Sequence, residues 1–393
     1  MHPFGPEATS DPHPIYARLR EEAPAHEFAV APNFNAWLIT RHDDARRALN
    51  DPRLSKNVSG APIRTSGGWP VELRAAMDSH MLSNDPPAHT RLRRIVSSAF
   101  TARRIADLRP DVQRISDELL DGFAGRDEVD LIGEYAFPLP LQVICELLGV
   151  PMDDRDSFRQ WSNTIIASAL AQGDALAAAT AMNDYVRELV KRKRAEPDKA
   201  LLSALVSAAD SGDRLTEDEL TSLVFLLLLA GHETTVNLIG NGVYLLLSHP
   251  EQLARLRADR MLISPAIEEF LRYESPVKTA TLRIATEPVE FDGVTVPAGA
   301  VVMVSLLSAN RDPNAFADPD RFDPARADNQ HLAFGHGIHY CLGAPLARLE
   351  GEIAFNGLLD RFPKLRASQP LDELIWRPGA LLRGLDQLPV MLS

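Results

Sequence analysis

Residues 224–231 read VFLLLLAG, apolar on every side of any helix they could form. Such a helix cannot lie on a surface; it has to run through an interior. Thr216 and Glu219, in T-E-D-E, mark its start with the reciprocal pattern of a capping box. Ser248-His249-Pro250 marks its end. The helix between them, about thirty residues, would span roughly 45 Å. One helix of that length crossing one core argues for a single domain, although 393 residues alone would suggest more than one. Hydrophobic residues make up 45% of the chain, ample for a large core.

The flanking sequence is also mainly helical. Asp11–Glu22, His42–Leu49 and Pro87–Phe100 read as helices, and Ala36–Ile39 as a strand. Asn57–Pro70, rich in Gly, Ser and Pro, reads as a loop. Pro151, Gly173 and Pro197 interrupt the helical pattern without the composition of a linker. Lys191–Arg194, four basic residues in a row, reads as a solvated helix end. Strand-like alternation appears mainly after Pro288, with a turn at Asp292-Gly293. The fold expected is mainly α with small β-sheets.

Charge and cysteine content narrow the function. A net charge of -13 argues against nucleic acid as the main partner. The start of the chain lacks a basic region followed by an apolar run, and the aliphatic run Leu223–Ala230 is too short to span a bilayer, so a soluble, cytoplasmic protein is expected. A disulfide scaffold is not expected, because large cytosolic chains rarely use one, and two cysteines cannot supply a four-sulfur metal site. Cys145, in LPLQVICELLGVP, reads as a small buried hydrophobe.

Cys341 stands in a different setting, AFGHGIHYCLGAPLARLE over residues 333–350. Gly335 and Gly337 permit a tight irregular backbone before it, Gly343 permits close approach after it, and helical character resumes at Ala344. A sulfur at a helix start meets unpaired N–H groups and the positive end of the dipole, and both favour the thiolate. A thiolate donates charge strongly to iron. From the loop alone, a glycine-rich turn with an incidental cysteine remains open.

FGHGIHYCLG, residues 334–343, resembles the haem-binding pattern of the cytochromes P450, F-G-x-G-x-H-x-C-x-G, at every fixed position. The likeness is to the bacterial, soluble class, and it extends from about Asp11 to Pro389. It implies one triangular, mainly helical domain over residues 1–393, with the long helix crossing over haem b and Cys341 as the iron ligand. Phe334, Gly335, His339 and Gly343 would belong to the haem-binding loop, with His339 reaching a haem carboxylate.

Three further motifs agree with that family. Glu269 and Arg272, in AIEEFLRYESP, share one helical face and resemble its E-x-x-R motif; Arg321, in DPDRFDP, matches the usual third partner. The implied role is a buried structural charge network. In LLAGHETTVN, Ala230 and Gly231 would leave room for dioxygen, Thr234 would hydrogen-bond the activated oxygen, and Glu233 would help relay protons. Thr235 would be a packing neighbour, and His232 occupies a variable position with no catalytic role. In SNDPPAHTRLRRIVSSAF, His89 and Arg93 match residues that bind haem propionates, and Arg283, in TLRIATE, matches another.

The implied reaction inserts one oxygen atom into a C–H bond or epoxidises an alkene. The chain shows no G-x-G-x-x-G and too few cysteines for a cluster, so a separate ferredoxin with an NAD(P)H-dependent reductase is expected to bring electrons. Arg91, Arg93, Arg94, Arg103, Arg104 and Arg348 are candidates for a basic docking face. Family resemblance places substrate-lining segments at Ser59–Leu82, Ile165–Leu170, Phe225–Glu233, Val277–Thr281 and Ala380–Leu382. Met81, Leu82, Leu229, Val277, Ala280, Thr281 and Leu381 are the lining candidates, with Glu72 and Asp78 as possible charged exceptions. The likeness is strongest to enzymes that tailor macrolides and other polyketides, which implies a monomer acting on a large apolar ligand. Steroids, terpenoids and cyclic peptides stay open, as do peroxygenation and oxidative coupling. A haem carrier or gas sensor is the alternative from a different class.

Overall fold

The long helix runs from Glu217 to Ser248. Its first turn is closed as the capping box requires: Glu219 N–H donates to Thr216 Oγ1 at 3.1 Å, and Thr216 N–H donates to Glu219 Oε2 at 2.9 Å. By length and composition this helix could cross a membrane, but 67% of its most apolar window is buried inside the protein, the condition of a core helix.

The computed structural model describes residues 2–31, 34–57, 73, 77–167, 172–210 and 215–393. The chain clusters into two compact units, neither of which is an uninterrupted stretch. The larger comprises Met1–Ser55, Val112–Leu139 and Thr234–Ser393; the smaller comprises Lys56–Asp111 and Pro140–Glu233. The central helix therefore supplies its first half to one unit and its second half to the other.

The larger unit carries the β-structure. Ala25–Ala31 pairs antiparallel with Phe34–Ile39, which pairs parallel with Val301–Val304. Val301–Val304 pairs antiparallel with Arg283–Ala285, and that strand with Leu54–Ser55, closing a five-stranded sheet. One face buries Ile39, Val302 and Val304 against Ala45, Ala48 and Leu49 of helix His42–Asn50. Asp292 and Gly293 both take positive φ, 40° and 83°, as the two-residue hairpin between Val289–Phe291 and Val294–Val296 demands. Helix Ala344–Arg361 packs on helix Ile263–Tyr273.

The smaller unit is built from helices. Arg155–Ala167 packs on Gln172–Ala195, which packs on Leu201–Asp210, and that helix packs on Ala88–Ala99. The basic run 191–194 does end a helix, but it is tied down rather than merely solvated. Arg192 lies 3.4 Å from Asp154, Lys193 pairs with Asp198, and Arg194 reaches Glu217 at 2.8 Å and Asp210 at 3.2 Å. Cys145 is fully buried, and burial pushes its thiol up to about 12.

Glu269 and Arg272 are both fully buried and paired in a fork, Nε to Oε2 and Nη2 to Oε1, each 2.8 Å. The second cation on Glu269 is Arg326, whose Nε lies 3.1 Å from Oε2, and not Arg321. The Arg321 side chain is 65% exposed and pairs with Asp323; only its backbone carbonyl enters the network, accepting from Arg272 and Arg326. Asp323 N–H and Asn329 Nδ2 complete the carboxylate's shell at 2.9 and 3.2 Å.

Two stability outcomes follow. Thr216→Ala should lower stability by about 1 kcal/mol through the lost cap, read from denaturant midpoints. Arg326→Ala should cost about 2–3 kcal/mol, because it removes the second cation from Glu269 and the donors to the Ala317 and Asp318 carbonyls while the Glu269–Arg272 fork remains, whereas Arg321→Ala should stay within about 0.5 kcal/mol. Equal losses at the two arginines would contradict the assignment.

Candidate functional site

The cysteine loop is shaped by two left-handed glycines, a short 3-10 turn over Gly337–His339 and one backbone hydrogen bond that closes it. Gly335 and Gly337 both have φ +73°, a conformation that disfavours side chains. A Cβ on Gly337 would sit 2.7 Å from Asn50 Oδ1 and 3.2 Å from the Leu49 carbonyl oxygen, so the loop closes directly on the end of helix His42–Asn50. Cys341 N–H donates to the Phe334 carbonyl at 2.9 Å, drawing the two ends of the loop together. Gly343 then caps helix Ala344–Arg361, which places the half-buried Cys341 sulfur beside the helix start.

Salt bridges hold the loop's aromatic. The Arg348 guanidinium lies 4.6 Å from the centre of the Phe334 ring and forks onto Glu268 at 2.7 and 2.8 Å. His331 donates to the same carboxylate at 3.0 Å. Burial opposes charge on Glu268, but hydrogen bonds from Arg348 and His331 hold it down at about 2. Arg348 is therefore an internally balanced charge. Arg91 is likewise paired, with Glu219, and Arg104 donates to the Ala99 and Lys199 carbonyls. Glu268 and Glu219 thus offset the charges of Arg348 and Arg91, while Arg104, bonded to neutral carbonyls, keeps its charge.

Arg283 is buried beneath the same helix end, donating to the Leu54 and Leu49 carbonyls at 3.2 Å each. Two of the expected lining segments meet here. Lys278 N–H donates to Leu381 O at 2.8 Å, Thr279 Oγ1 to Ala380 O at 3.0 Å, and Val277 bridges to Leu382. Val277, Ala280 and Thr281 are partly exposed while Lys278 and Thr279 are buried, and Leu381 is 47% exposed. Of the other segments, residues 58–72, 74–76 and 168–170, Glu72 among them, lie outside the described residues.

In the smaller unit, His89 is buried on helix Ala88–Ala99, with Arg93 one turn on along the same face. Met81 is buried and Leu82 half-buried on the short turn Met81–Ser83. The middle of the central helix shows a division that its apolar sequence hides. Glu233 and His232 are buried, whereas Leu226, Leu229, Gly231 and Thr234 are partly accessible and Ala230 is exposed. Leu226, Ala230 and Thr234 are four residues apart, so they line up along the helix, with Leu229 and Gly231 beside them. Gly231 faces Ile144, whose Cδ1 would lie 3.0 Å from any Cβ placed there.

Two residues that matter to this arrangement escaped the sequence reading. Arg326 lies in an irregular stretch where spacing does not say which side chain turns inward. His232 accepts from or donates to Ser162 Oγ at 3.0 Å and bonds the Leu228 carbonyl at 2.8 Å, contacts no local pattern encodes.

A haem fits the residues present. The accessible sulfur at a helix start suits iron, and the buried cation Arg283 suits a carboxylate. Cys145, with its thiol raised by burial, does not offer a competing ligand.

Comparison with known proteins agrees along nearly the whole chain. The cytochrome P450 family model matches residues 38–384. Cytochrome P450 107B1 of Saccharopolyspora erythraea is 51% identical over 389 residues, covering 97% of this chain and 95% of the relative. Vitamin D(3) 25-hydroxylase of Pseudonocardia autotrophica is 48% identical over 388 residues, covering 98% and 94%. Among solved structures, the bacillaene polyketide synthase cytochrome P450 PksS of Bacillus subtilis 168 superposes with a TM-score of 0.93 at 40% identity, covering 100% of both chains. Motif, fold and relatedness converge: this chain belongs to the cytochrome P450 family.

Proposed function

We propose that this haem-thiolate monooxygenase inserts one oxygen atom of dioxygen into a C–H bond, or epoxidises an alkene, of a macrolide or other polyketide, with electrons from a ferredoxin and its NAD(P)H-dependent reductase. The observation that carries the reading is Cys341, presented beside the start of helix Ala344–Arg361 on a loop with two left-handed glycines. The similarity to a P450 named for a polyketide synthase supports the substrate class. A second reading, a steroid-like substrate, is favoured by the similarity to a vitamin D(3) hydroxylase.

Haem, when bound, supplies the activation of dioxygen, in which one oxygen atom enters the substrate and the other leaves as water. The chain's own residues hold and order the reaction. Cys341 gives the iron a thiolate whose charge the neighbouring helix start stabilises. His89, Arg93, Arg283 and His339 are assigned to the haem carboxylates. Ala230, small and on the accessible face, is assigned to leave room for a diatomic molecule, whereas Gly231 lets the helix pack closely on Ile144. Thr234 offers a hydroxyl on the accessible face, and the buried Glu233 next to it is assigned to hand protons inward. Val277, Ala280 and Thr281, with Met81, Leu82, Leu229 and Leu381, are assigned to the substrate.

The test is turnover with ferredoxin, reductase and NADPH against a panel of macrolactones and vitamin D(3), with products weighed by mass spectrometry. A gain of one oxygen is expected. Loss of two hydrogens, or full-rate turnover from hydrogen peroxide without ferredoxin, would overturn the reading. Cys341→Ser should abolish the absorption band of sulfur-ligated ferrous haem under carbon monoxide. Thr234→Ala should retain that band yet lower product formation about a hundredfold while NADPH consumption continues.

A further inference from the structure

His232 is a polar ring in the middle of an apolar helix, and both its nitrogens have assigned partners. The Leu228 carbonyl, 2.8 Å from Nδ1, can only accept, so Nδ1 carries the hydrogen. In the neutral ring Nε2 then accepts, and Ser162 Oγ, 3.0 Å away, donates to it. Burial favours that neutral form by pushing the ring's pKa down, against the opposing pull of Glu233. Both residues are fully buried, so water does not readily replace the bond.

The partner residue sits on helix Arg155–Ala167. Phe158, one turn before Ser162, presents its ring edge-on to the imidazole with centroids 6.4 Å apart. Phe158 and Ser162 thus grip His232 from one helix face, the first by shape and the second by a directed bond. Shape alone would tolerate sliding. A shift of one residue, about 1.5 Å along the helix, would carry the hydroxyl out of reach and leave Nε2 dry.

We infer that the His232–Ser162 pair locks the register of helix Arg155–Ala167 on the central helix beside Leu229–Glu233, and so sets the size of ligand the enzyme accepts. The selection half rests on the reading above that this part of the central helix faces the bound ligand. His232 acts here as a positioning residue.

The test uses the haem-loaded full chain with Ser162→Ala, Ser162→Thr, His232→Phe and the double variant Ser162→Ala/His232→Phe. Hydrogen–deuterium exchange of residues 155–167 is the first readout, and the dissociation constants of imidazole and of the much larger ketoconazole are the second. Ser162→Ala and His232→Phe should each speed exchange about tenfold, with the double variant no faster than either single one. Both should change the ketoconazole-to-imidazole ratio about threefold or more, while Ser162→Thr, which keeps the hydroxyl, stays near the parent. Unchanged exchange, additive effects or an unmoved ratio would overturn the inference. Ala230→Val separates the two readings: if it weakens neither azole, the ligand-facing assignment fails, and the exchange data still decide whether the lock exists.

Discussion

A single buried carboxylate organises the approach to the cysteine loop. Glu269 would be costly to bury alone, and it is tolerated because Arg272, Arg326, Asp323 N–H and Asn329 all converge on it. These partners come from one regular helix and from the irregular stretch after Asn310. That stretch has little regular backbone pairing, so side-chain charge takes the place of a ladder. Arg272 also donates to the Asn310 and Pro319 carbonyls, and Asn310 Oδ1 accepts from Leu332 N–H just before the loop begins. The position of the sulfur is thus inherited from an ion network several residues away.

The same logic of borrowed order recurs at the end of helix His42–Asn50. The Leu49 carbonyl accepts from Arg283 and lies against Gly337. One helix terminus, with carbonyls that need partners, organises a cation on one strand and the turn that precedes Cys341. The parallel pairing of Phe34–Ile39 with Val301–Val304 makes that arrangement rigid, because it fixes the sheet on which the helix packs.

Features with a local cause were legible in the sequence. The capping box at Thr216, the hairpin at Asp292-Gly293 and the paired glycines before Cys341 each follow from backbone chemistry within a few residues. The Glu269–Arg272 fork was legible because both ends lie on one helix. Partner choice across long separations was not. Arg321 and Arg326 have the same chemistry and lie five residues apart in a segment without periodicity, and only the folded chain distinguishes the inward one. The basic run at 191–194 likewise gave no sign that Asp154, Asp210 and Glu217 would come to meet it. His232 read as filler because a helical position says nothing about the helix lying across it.

The unequal fate of the two sulfurs bears on how the protein ages. With its thiol raised by burial and fully enclosed, Cys145 is inert to oxidants and alkylating reagents as long as the fold holds. Any chain-to-chain disulfide formed in storage must then join residue 341 of both chains, and each such link removes two of the sulfurs proposed as iron ligands. A thiol titration on native protein stripped of cofactor therefore reads one group per chain at most, and its shortfall from one measures the fraction no longer able to take iron.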